Sequence, residues 1–371
     1  MKIIISANTA WNLLNFRSEL ISAMILEGHQ VVAVAPYDKY VGELESLGCK
    51  FVSIDMDNGG KNALKDALLI WRYWQLLTRE QPDIFLGFTI KPNIYGTLVA
   101  NYLRIPVINN IAGLGAVFIK GGWVASLVQR LYRIALARSF KVFFQNPDDM
   151  NLFLEADLVK ANVVELLPGS GIDLNQFTVT PMPASNKPFR FLLIARMLRD
   201  KGVVEFAQAA KLLRKDWPLV EFCLLGFVDV KNPAAISRSE INELVEQGIV
   251  SYLGHTENVC DEISNAHCVV LPSYREGTPR SLLEAAAMAR PIVTTDAAGC
   301  RQVVDHNVNG YLCKVRDYVD LAKKMNQILL LSSDNFKEMG LRGREKMENE
   351  FSIQIVIDKY LKNLRTIVLP S

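Results

Sequence analysis

Short apolar runs alternate with longer amphipathic stretches along the first half of the chain. Each run is apolar at consecutive positions, which is typical of a strand buried on both faces of a parallel sheet. The stretches between the runs repeat apolar residues at helical spacing and predict helices. The predicted strands are 3–6, 31–35, 51–54, 84–88, 106–109 and 142–145, and the clearest helices are 16–27, 64–77, 93–102 and 127–137, with a polar loop over 8–15.

A second alternating series starts near Pro168, and its Pro-rich polar segment 181–188 suggests a surface connection. Its predicted strands are 191–195, 220–225, 250–253, 268–271 and 292–295, and the last predicted helix is 353–364. Such alternation builds doubly wound parallel sheets, and 371 residues are enough for two domains. The sequence therefore predicts an α/β fold of two Rossmann-like domains, over 1–167 and 168–352, followed by a C-terminal segment over 353–371.

The segment 274–285 follows the predicted strand 268–271 and carries the first candidate chemistry. Pro279 suits the first turn of a helix whose N-cap would be Thr278. The N-terminus of that helix would lie at the carboxyl edge of the sheet, where its N–H groups and dipole favour a phosphate. Glu276 and Glu284 would repel a phosphate but suit hydroxyl groups on either side of it. The segment therefore predicts a nucleotide-sugar site, although either glutamate alone fits an ordinary solvated residue.

A second candidate loop follows the predicted strand 191–195. Arg196 and Lys201 lie on it, before a helix that is predicted to begin near Gly202. Two cations at the carboxyl edge of a strand can neutralise a diphosphate leaving group as its charge develops. The alternative is a pair of exposed basic loop residues.

Composition and short motifs argue against several classes of protein. The net charge is +2, so nothing favours binding to nucleic acid. The six cysteines show no C-x-x-C pair and lie mostly in apolar runs, as expected of reduced, buried thiols in a cytosolic protein. The first strand-to-helix loop lacks G-x-G-x-x-G, which argues against a dinucleotide cofactor. We expect neither a cleaved signal peptide nor a membrane-spanning helix.

Together these residues resemble the retaining family 4 glycosyltransferases, which have the GT-B fold of two Rossmann-like domains facing a central cleft. Glu276 and Glu284 match the E-x7-E motif of that family, and Arg196 and Lys201 match its G-R-x-x-x-x-K-G signature, with Ala195 in place of the first glycine. The resemblance implies that Glu276 contacts the donor sugar, Glu284 the ribose, and the two cations the pyrophosphate. It also implies that the last helix returns to the first domain.

Further donor-binding residues are implied by the same resemblance. The tip of the helix after Thr278 would contribute to the donor site, and two glycines would let the backbone approach the nucleotide and the diphosphate. These positions are Gly277, Thr278, Pro279, Ser281, Leu282, Gly254 and Gly226. Two cations already serve the diphosphate, so we expect a UDP-sugar co-substrate without a metal or other cofactor.

The N-terminal domain is expected to bind the acceptor. Its loops resemble a bacterial subgroup that adds a sugar, often an N-acetylhexosamine such as GalNAc, to an undecaprenyl-diphosphate-linked sugar. The matching positions are Asn8, Asn15, Arg17, Gly113 and Gly115. The family often has a histidine in the loop over 87–93, where this chain offers Lys91 instead. Lys91 would then contact the leaving group or the acceptor, or only cap the loop.

The region 118–124 and the basic positions after it combine bulky apolar and cationic residues. The cations are Arg130, Arg133, Arg138 and Lys141. Such a surface suits the interface of an anionic bilayer, and the alternative is an ordinary amphipathic helix with a solvated face. We therefore expect a cytoplasmic protein that binds the inner face of the cell membrane as a peripheral membrane protein.

The resulting hypothesis is a retaining transferase that moves a sugar from a UDP-sugar to a polyprenyl-diphosphate-linked saccharide. Two other functions fit the same architecture. A UDP-sugar 2-epimerase would convert the free nucleotide-sugar without an acceptor, and a non-catalytic GT-B scaffold would need neither substrate. The candidate set of Arg196, Lys201, Glu276 and Glu284 argues against the scaffold.

Overall fold

The structure is a computed structural model that describes residues 1–57, 62–114, 122–184, 186–230 and 232–367. The chain divides into two compact units. The N-terminal unit comprises Met1–Ser170 together with Ile353–Ser371, and the C-terminal unit comprises Gly171–Ser352.

The N-terminal unit is built on a parallel sheet of seven strands. These are β1 (Lys2–Ser6), β2 (Gln30–Ala35), β3 (Lys50–Ser53), β4 (Ile84–Phe88), β5 (Val107–Ile111), β6 (Lys141–Phe144) and β7 (Val164–Leu166). Their order in the sheet is β3-β2-β1-β4-β5-β6-β7. β1 lies at the point where the strand order reverses, so the loops after β1 and β4 leave the same edge side by side.

Helices cover both faces of this sheet. They are α1 (Ala10–Leu26), α2 (Val41–Ser46), α3 (Ala63–Glu80), α4 (Thr97–Tyr102, after a π-helical turn at Pro92–Gly96), α5 (Trp123–Leu136), α6 (Pro147–Glu155) and the C-terminal helix (Ile353–Ile367). Ile3, Ile4 and Ile5 are fully buried, because both faces of the central strand are covered.

The C-terminal helix packs against α1 in the N-terminal unit. Tyr360 is fully buried there, with its ring centroid 4.8 Å from that of Phe143, and Asn110 donates a hydrogen bond of 3.0 Å to its hydroxyl. The helix thus completes the core of the unit that holds the start of the chain.

The C-terminal unit is a second parallel sheet, of six strands. These are β8 (Arg190–Ile194), β9 (Glu221–Leu225), β10 (Ser251–Tyr252), β11 (Cys268–Leu271), β12 (Ile292–Thr295) and β13 (Gly310–Cys313), in the order β10-β9-β8-β11-β12-β13. β8 pairs with both β9 and β11, so the strand order reverses between β8 and β11. The prediction of two doubly wound parallel sheets is confirmed.

Helices again flank the second sheet. They are α7 (Val203–Leu213, after a 3-10 turn at Arg199–Lys201), α8 (Arg238–Glu246), α9 (Val259–Ser264), α10 (Arg280–Ala287), α11 (Tyr318–Leu329) and α12 (Ser333–Lys346), followed by a π-helical turn at Met347–Phe351.

The prediction of a loop over 8–15 is wrong. The polar stretch 8–15 is mostly helical, because α1 begins at Ala10. Thr9 is its N-cap, and its hydroxyl accepts a 3.0 Å hydrogen bond from the N–H of Asn12. Ala10 and Leu13 face the core while Trp11 is exposed, so the polar residues that suggested a loop form the outer side of the first turns.

Candidate functional site

The loops that follow β8 and β11 are joined by hydrogen bonds at the carboxyl edge of the second sheet. The N–H of Tyr274 donates to the carbonyl oxygen of Asp200 over 2.9 Å. The hydroxyl of Ser273 lies 3.1 Å from the same oxygen. The two loops that carry the predicted cations and the first glutamate are therefore neighbours at a topological switch point, where open α/β sheets bind ligands.

Lys201 and Glu276 form a direct ion pair between these two loops. The side chain of Lys201 is 19% exposed and that of Glu276 13%. The Ser273 hydroxyl donates to Oε1 of Glu276 over 2.7 Å, and that oxygen is also the one bonded to Lys201. The structure thus brings together one predicted phosphate-binding cation and the predicted sugar-binding carboxylate.

Arg196 lies on the same loop as Lys201 but is exposed. Its backbone carbonyl accepts a 2.7 Å hydrogen bond from the N–H of Leu198. Within the described ranges its guanidinium has no ion pair. A cation in this position can turn toward an anionic ligand without first breaking an ion pair.

The helix after Glu276 starts later than the sequence predicted. α10 begins at Arg280, and its N-cap is Pro279 rather than Thr278, so the predicted capping role of Thr278 is wrong. Pro279 has an extended backbone (ψ 113°), and its carbonyl oxygen accepts from the N–H groups of Leu282 and Leu283 over 3.1 and 3.3 Å. The rigid proline ring thus fixes the entry to the helix without a side-chain cap.

The other predicted positions at this helix tip differ in accessibility. Gly277 and Pro279 are buried, whereas Thr278 and Ser281 are partly exposed. The Leu282 side chain is fully buried in the core. Only the partly exposed positions present side chains to solvent at the helix tip.

Glu284 lies on α10 and is 7% exposed. Arg280, one turn earlier, places its Nε atom 2.8 Å from Oε1 of Glu284. Burial raises the pKa of Glu284 above its usual value, and the charge of Arg280 opposes that rise. The carboxylate therefore already has a cationic partner on its own helix.

Gly226 and Gly254 join the loops after β9 and β10. The N–H of Gly226 donates to the carbonyl oxygen of Gly254 over 2.7 Å, and the hydroxyl of Tyr252 donates to the carbonyl oxygen of Gly226 over 2.8 Å. A Cβ atom at Gly226 would lie 1.9 Å from the carbonyl oxygen of Ala195. Only glycine therefore lets this loop approach the one that carries Arg196.

Several supporting residues were not predicted from the sequence. Tyr274 donates to Glu205 over 2.6 Å, and burial together with this carboxylate raises the pKa of Tyr274 to about 12. The guanidinium of Arg316 lies 4.5 Å from the centre of the Tyr274 ring. The backbone of Glu276 is held by Ala298, whose carbonyl accepts from its N–H over 2.9 Å. These contacts join residues far apart in the chain, which no local pattern reveals.

In the N-terminal unit, Lys91 forms an ion pair with Asp66 of α3, with Nζ 2.6 Å from Oδ1. The hydroxyl of Tyr95 donates to the other oxygen of Asp66 over 2.8 Å. Lys91 therefore ties the loop after β4 to α3.

The predicted acceptor residues are spread over three segments. Asn8 follows β1 and is partly buried, while the Asn15 amide donates to the Trp11 carbonyl over 3.0 Å along α1. Arg17 is only 4% exposed, and its guanidinium carbon lies 4.4 Å from the centre of the Phe88 ring. Gly113, after β5, is partly exposed, and Gly115 lies outside the described residues.

Two kinds of feature are absent from the part of the chain that the structure describes. No group of three or more His, Cys, Asp or Glu side chains there could hold a metal ion. No helix among the same residues has the length and apolar character needed to cross a bilayer.

Two protein-family models match the chain, one in each half. A glycosyl transferase 4-like domain matches residues 16–169, and a glycosyl transferases group 1 domain matches residues 188–330. Together they span most of both structural units.

Relatives with named activities match most of the chain. An N,N'-diacetylbacillosaminyl-diphospho-undecaprenol alpha-1,3-N-acetylgalactosaminyltransferase of Campylobacter jejuni is 26% identical over 378 aligned positions, covering 98% of each chain. A UDP-Gal:alpha-D-GlcNAc-diphosphoundecaprenol alpha-1,3-galactosyltransferase of Escherichia coli is 23% identical and covers 80% of this chain and 78% of that protein.

Solved structures share the fold over the whole chain. HepE of Anabaena, crystallised with UDP and glucose, superposes with a TM-score of 0.81 at 17% identity and covers 99% of this chain and 100% of its own. Sucrose-phosphate synthase of Thermosynechococcus elongatus gives 0.80 at 17% identity, with 99% of each chain covered. The predicted GT-B fold is confirmed, and so is the prediction of a glycosyltransferase: this chain belongs to the glycosyltransferases that pair a glycosyl transferase 4-like domain with a group 1 domain.

Proposed function

We propose that this glycosyltransferase moves a sugar from a UDP-sugar to a polyprenyl-diphosphate-linked saccharide, with retention at the anomeric carbon. The observation that carries the proposal is the ion pair of Lys201 and Glu276 between the loops after β8 and β11. A cation and a carboxylate side by side at this edge suit the boundary between a diphosphate and a sugar. The relatives from Campylobacter and Escherichia, whose names include undecaprenol-linked acceptors, support the class of acceptor.

Each donor-side residue is assigned a role in binding the UDP-sugar that is compatible with its surroundings. Arg196, exposed on its loop, and Lys201 bind the diphosphate. Glu276 accepts hydrogen bonds from sugar hydroxyls, and Glu284 does the same for the ribose, sharing its charge with Arg280. Gly226 and Gly254 bring backbone groups to the nucleotide, and the tip of α10 faces the phosphates.

The reaction breaks the bond between the anomeric carbon and the diphosphate oxygen. It forms a bond from that carbon to the acceptor hydroxyl oxygen on the same face of the sugar. The proton of the acceptor hydroxyl passes to the leaving phosphate oxygen, so no separate basic side chain is needed. Negative charge grows on the diphosphate during the step, and the cationic side chains of Arg196 and Lys201 stabilise it without a metal ion.

The transferred sugar is proposed to be an N-acetylhexosamine such as GalNAc. The support is the Campylobacter relative, whose name specifies an N-acetylgalactosaminyl group and which aligns with nearly the whole chain. The acceptor binds the N-terminal unit near Asn8, Arg17 and Gly113. Lys91, paired with Asp66, acts there by holding the loop after β4 rather than as a proton donor.

We further propose that the protein acts at the inner face of the cell membrane, as a peripheral protein that binds anionic lipid. The helices α3, α4 and α5 lie side by side, with α4 between the other two. Trp71 and Trp74 of α3 and Trp123 of α5 are exposed by 51%, 45% and 77%. α5 carries arginines but no carboxylate. Exposed tryptophans near a helix that carries arginines suit an anionic headgroup layer. Residues 118–121 of the predicted region 118–124 lie outside the described residues.

Vesicle flotation tests this surface. The wild-type protein is expected to float with vesicles of phosphatidylglycerol and phosphatidylethanolamine, and a Trp71→Ala/Trp74→Ala variant should float several-fold less. Leu219→Ala, at an 83% exposed position in the C-terminal unit, is the control and should behave as wild type. Equal flotation of all three proteins would contradict the proposed surface.

Transfer itself is tested with a panel of nucleotide-sugars and a short polyprenyl-diphosphate-linked saccharide, followed by mass spectrometry. We expect one added sugar mass on the acceptor with one UDP-sugar and loss of turnover by at least about 100-fold in Glu276→Gln, since the carboxylate bonds the sugar in the transition state. A new nucleotide-sugar epimer formed without acceptor would instead indicate an epimerase. No reaction with any donor would contradict the proposal.

A further inference from the structure

Ser273 is a fully buried residue between β11 and the predicted catalytic loop. Its carbonyl oxygen accepts a hydrogen bond from the hydroxyl of Thr295 on β12. Its hydroxyl lies 2.7 Å from Oε1 of Glu276 and 3.1 Å from the carbonyl oxygen of Asp200. The backbone of Ser273 is therefore anchored to the sheet, and its hydroxyl reaches both loops of the site.

The single hydrogen of this hydroxyl goes to the stronger acceptor. The carboxylate of Glu276 is charged and closer, whereas the Asp200 carbonyl already accepts the Tyr274 N–H over 2.9 Å. Hydrogen bonds to an ionised acceptor are about twice as strong as neutral ones. Ser273 thus donates to Glu276, and the sheet holds the donor in place.

Lys201 and Ser273 bond the same oxygen of Glu276. Lys201 is also a proposed ligand of the donor diphosphate, and a diphosphate competes for its ammonium group. The arrival of the donor therefore weakens the ionic contact that orients Glu276. The hydroxyl of Ser273 is uncharged and buried, so the diphosphate does not compete for it.

We propose that Ser273 is a positioning residue that keeps the Glu276 carboxylate oriented toward the donor sugar while Lys201 is shared with the diphosphate. The inference rests on the proposed function, because it assumes that Glu276 bonds the sugar of a UDP-sugar. It assigns to Ser273 a task that appears only when the sugar is present. UDP alone, which lacks the sugar, should be bound without help from Ser273.

The test compares UDP with the UDP-sugar that the wild type uses. In Ser273→Ala, the kcat with that UDP-sugar should fall by about 10-fold or more, because the variant loses a hydrogen bond to a charged acceptor. The Kd for UDP, measured by calorimetry, should stay within about twofold of wild type.

Thr294→Val is the matched control. Thr294 is also fully buried, and its hydroxyl donates to the Leu271 carbonyl over 2.6 Å, away from Glu276. This variant should be less stable than the wild type. Its kcat with the UDP-sugar should not fall relative to its affinity for UDP, in contrast to Ser273→Ala. Ser273→Cys has nearly the shape of serine and only a weak donor, so it keeps the fold and should still lose most of the turnover.

Three results would overturn the inference. The first is wild-type turnover in Ser273→Ala or Ser273→Cys. The second is an equal loss of UDP affinity and UDP-sugar turnover, which would indicate a purely structural role. The third is a wild-type protein that transfers no sugar, which overturns the proposed function and this inference together. In the first two cases the proposed function still stands.

Discussion

Arg196 and Arg199 lie on the same loop but have different surroundings. Arg199 forms an ion pair with Glu240 on α8, whereas Arg196 is exposed and has no ion pair in the described part of the chain. One loop therefore carries both a proposed ligand-binding cation, Arg196, and a structural cation, Arg199.

Arg196→Ala should weaken UDP binding by about 10-fold or more, because a charge-assisted contact to a phosphate is worth about 1.5–3 kcal/mol. Arg199→Ala removes the same charge from the same loop and should leave the affinity nearly unchanged. Calorimetric titration of UDP into the three proteins measures this difference. Equal losses in both variants would mean that only the overall charge of the loop matters.

At the scale of elements, the sequence predicted the central strands well. β4, β11 and β12 have the predicted bounds. β4 and β11 are continuous apolar runs, as expected of buried parallel strands, and β12 begins with two apolar residues. The strands β7 and β13 at the two sheet edges were not predicted. The residues of β7 are only partly buried, so its sequence lacks the continuous apolar run that marks the central strands.

The sequence predicted which loops carry the candidate site, but not which side chains of those loops contact each other. Lys201 and Glu276 were each placed at a strand end by local pattern. Their ion pair depends on the pairing of β8 with β11, which brings together residues that are distant in the chain. Ser273 carried no local signal beyond its position after a strand, so its bond to Glu276 could be found only in the folded chain.

Arg290, just after α10, binds separate elements together. It is fully buried, and its guanidinium donates to the carbonyl oxygens of Thr180, Pro181, Ser264 and Ala266 over 2.9–3.1 Å. Burial lowers the pKa of Arg290 to about 10, which leaves the group charged at neutral pH. One side chain thus satisfies several buried carbonyl groups.

Arg290→Met should lower the free energy of unfolding by about 3 kcal/mol or more, since it leaves several buried carbonyls without donors. Arg301→Met is the control, because Arg301 pairs with Asp296 on the surface and should cost well under 1 kcal/mol. Urea unfolding of the variants measures both effects. A loss of equal size in both would contradict this account of Arg290.

His267 joins the two central strands of the C-terminal unit. Its Nδ1 accepts a 3.1 Å hydrogen bond from the N–H of Arg190, and its ring stacks on Phe189 with centroids 4.5 Å apart. Burial and the nearby charge of Arg290 lower the pKa of His267 to about 4. In the unfolded chain the same ring has a pKa near 6.5.

The unfolded state therefore binds more protons than the folded state between these two pKa values. The contribution of His267 to stability is present above about pH 6.5 and is lost as the pH falls toward 4. Urea unfolding at pH 7, 5.5 and 4.5 should show this loss, and His267→Asn should reduce the pH dependence. An identical pH dependence in wild type and variant would contradict the assignment.

At the scale of the whole molecule, the proposed chemistry uses cationic side chains where other glycosyltransferases use a metal ion. Sugar transfer should therefore continue in excess EDTA at a rate within about twofold of the untreated protein, because Arg196 and Lys201 already neutralise the leaving diphosphate. Mass spectrometry of the acceptor measures this rate. Activity that disappears with EDTA and returns with magnesium would contradict the metal-free reaction.

The loops after β8 and β11 are proposed to bind the diphosphate of a UDP-sugar. Calorimetric titration of UDP into the wild type and into an Arg196→Ala/Lys201→Ala variant measures this binding directly. We expect saturable binding of one UDP per chain by the wild type and a loss of affinity of about 100-fold or more in the variant. Failure of the wild type to bind UDP, or equal affinity in the two proteins, would contradict it.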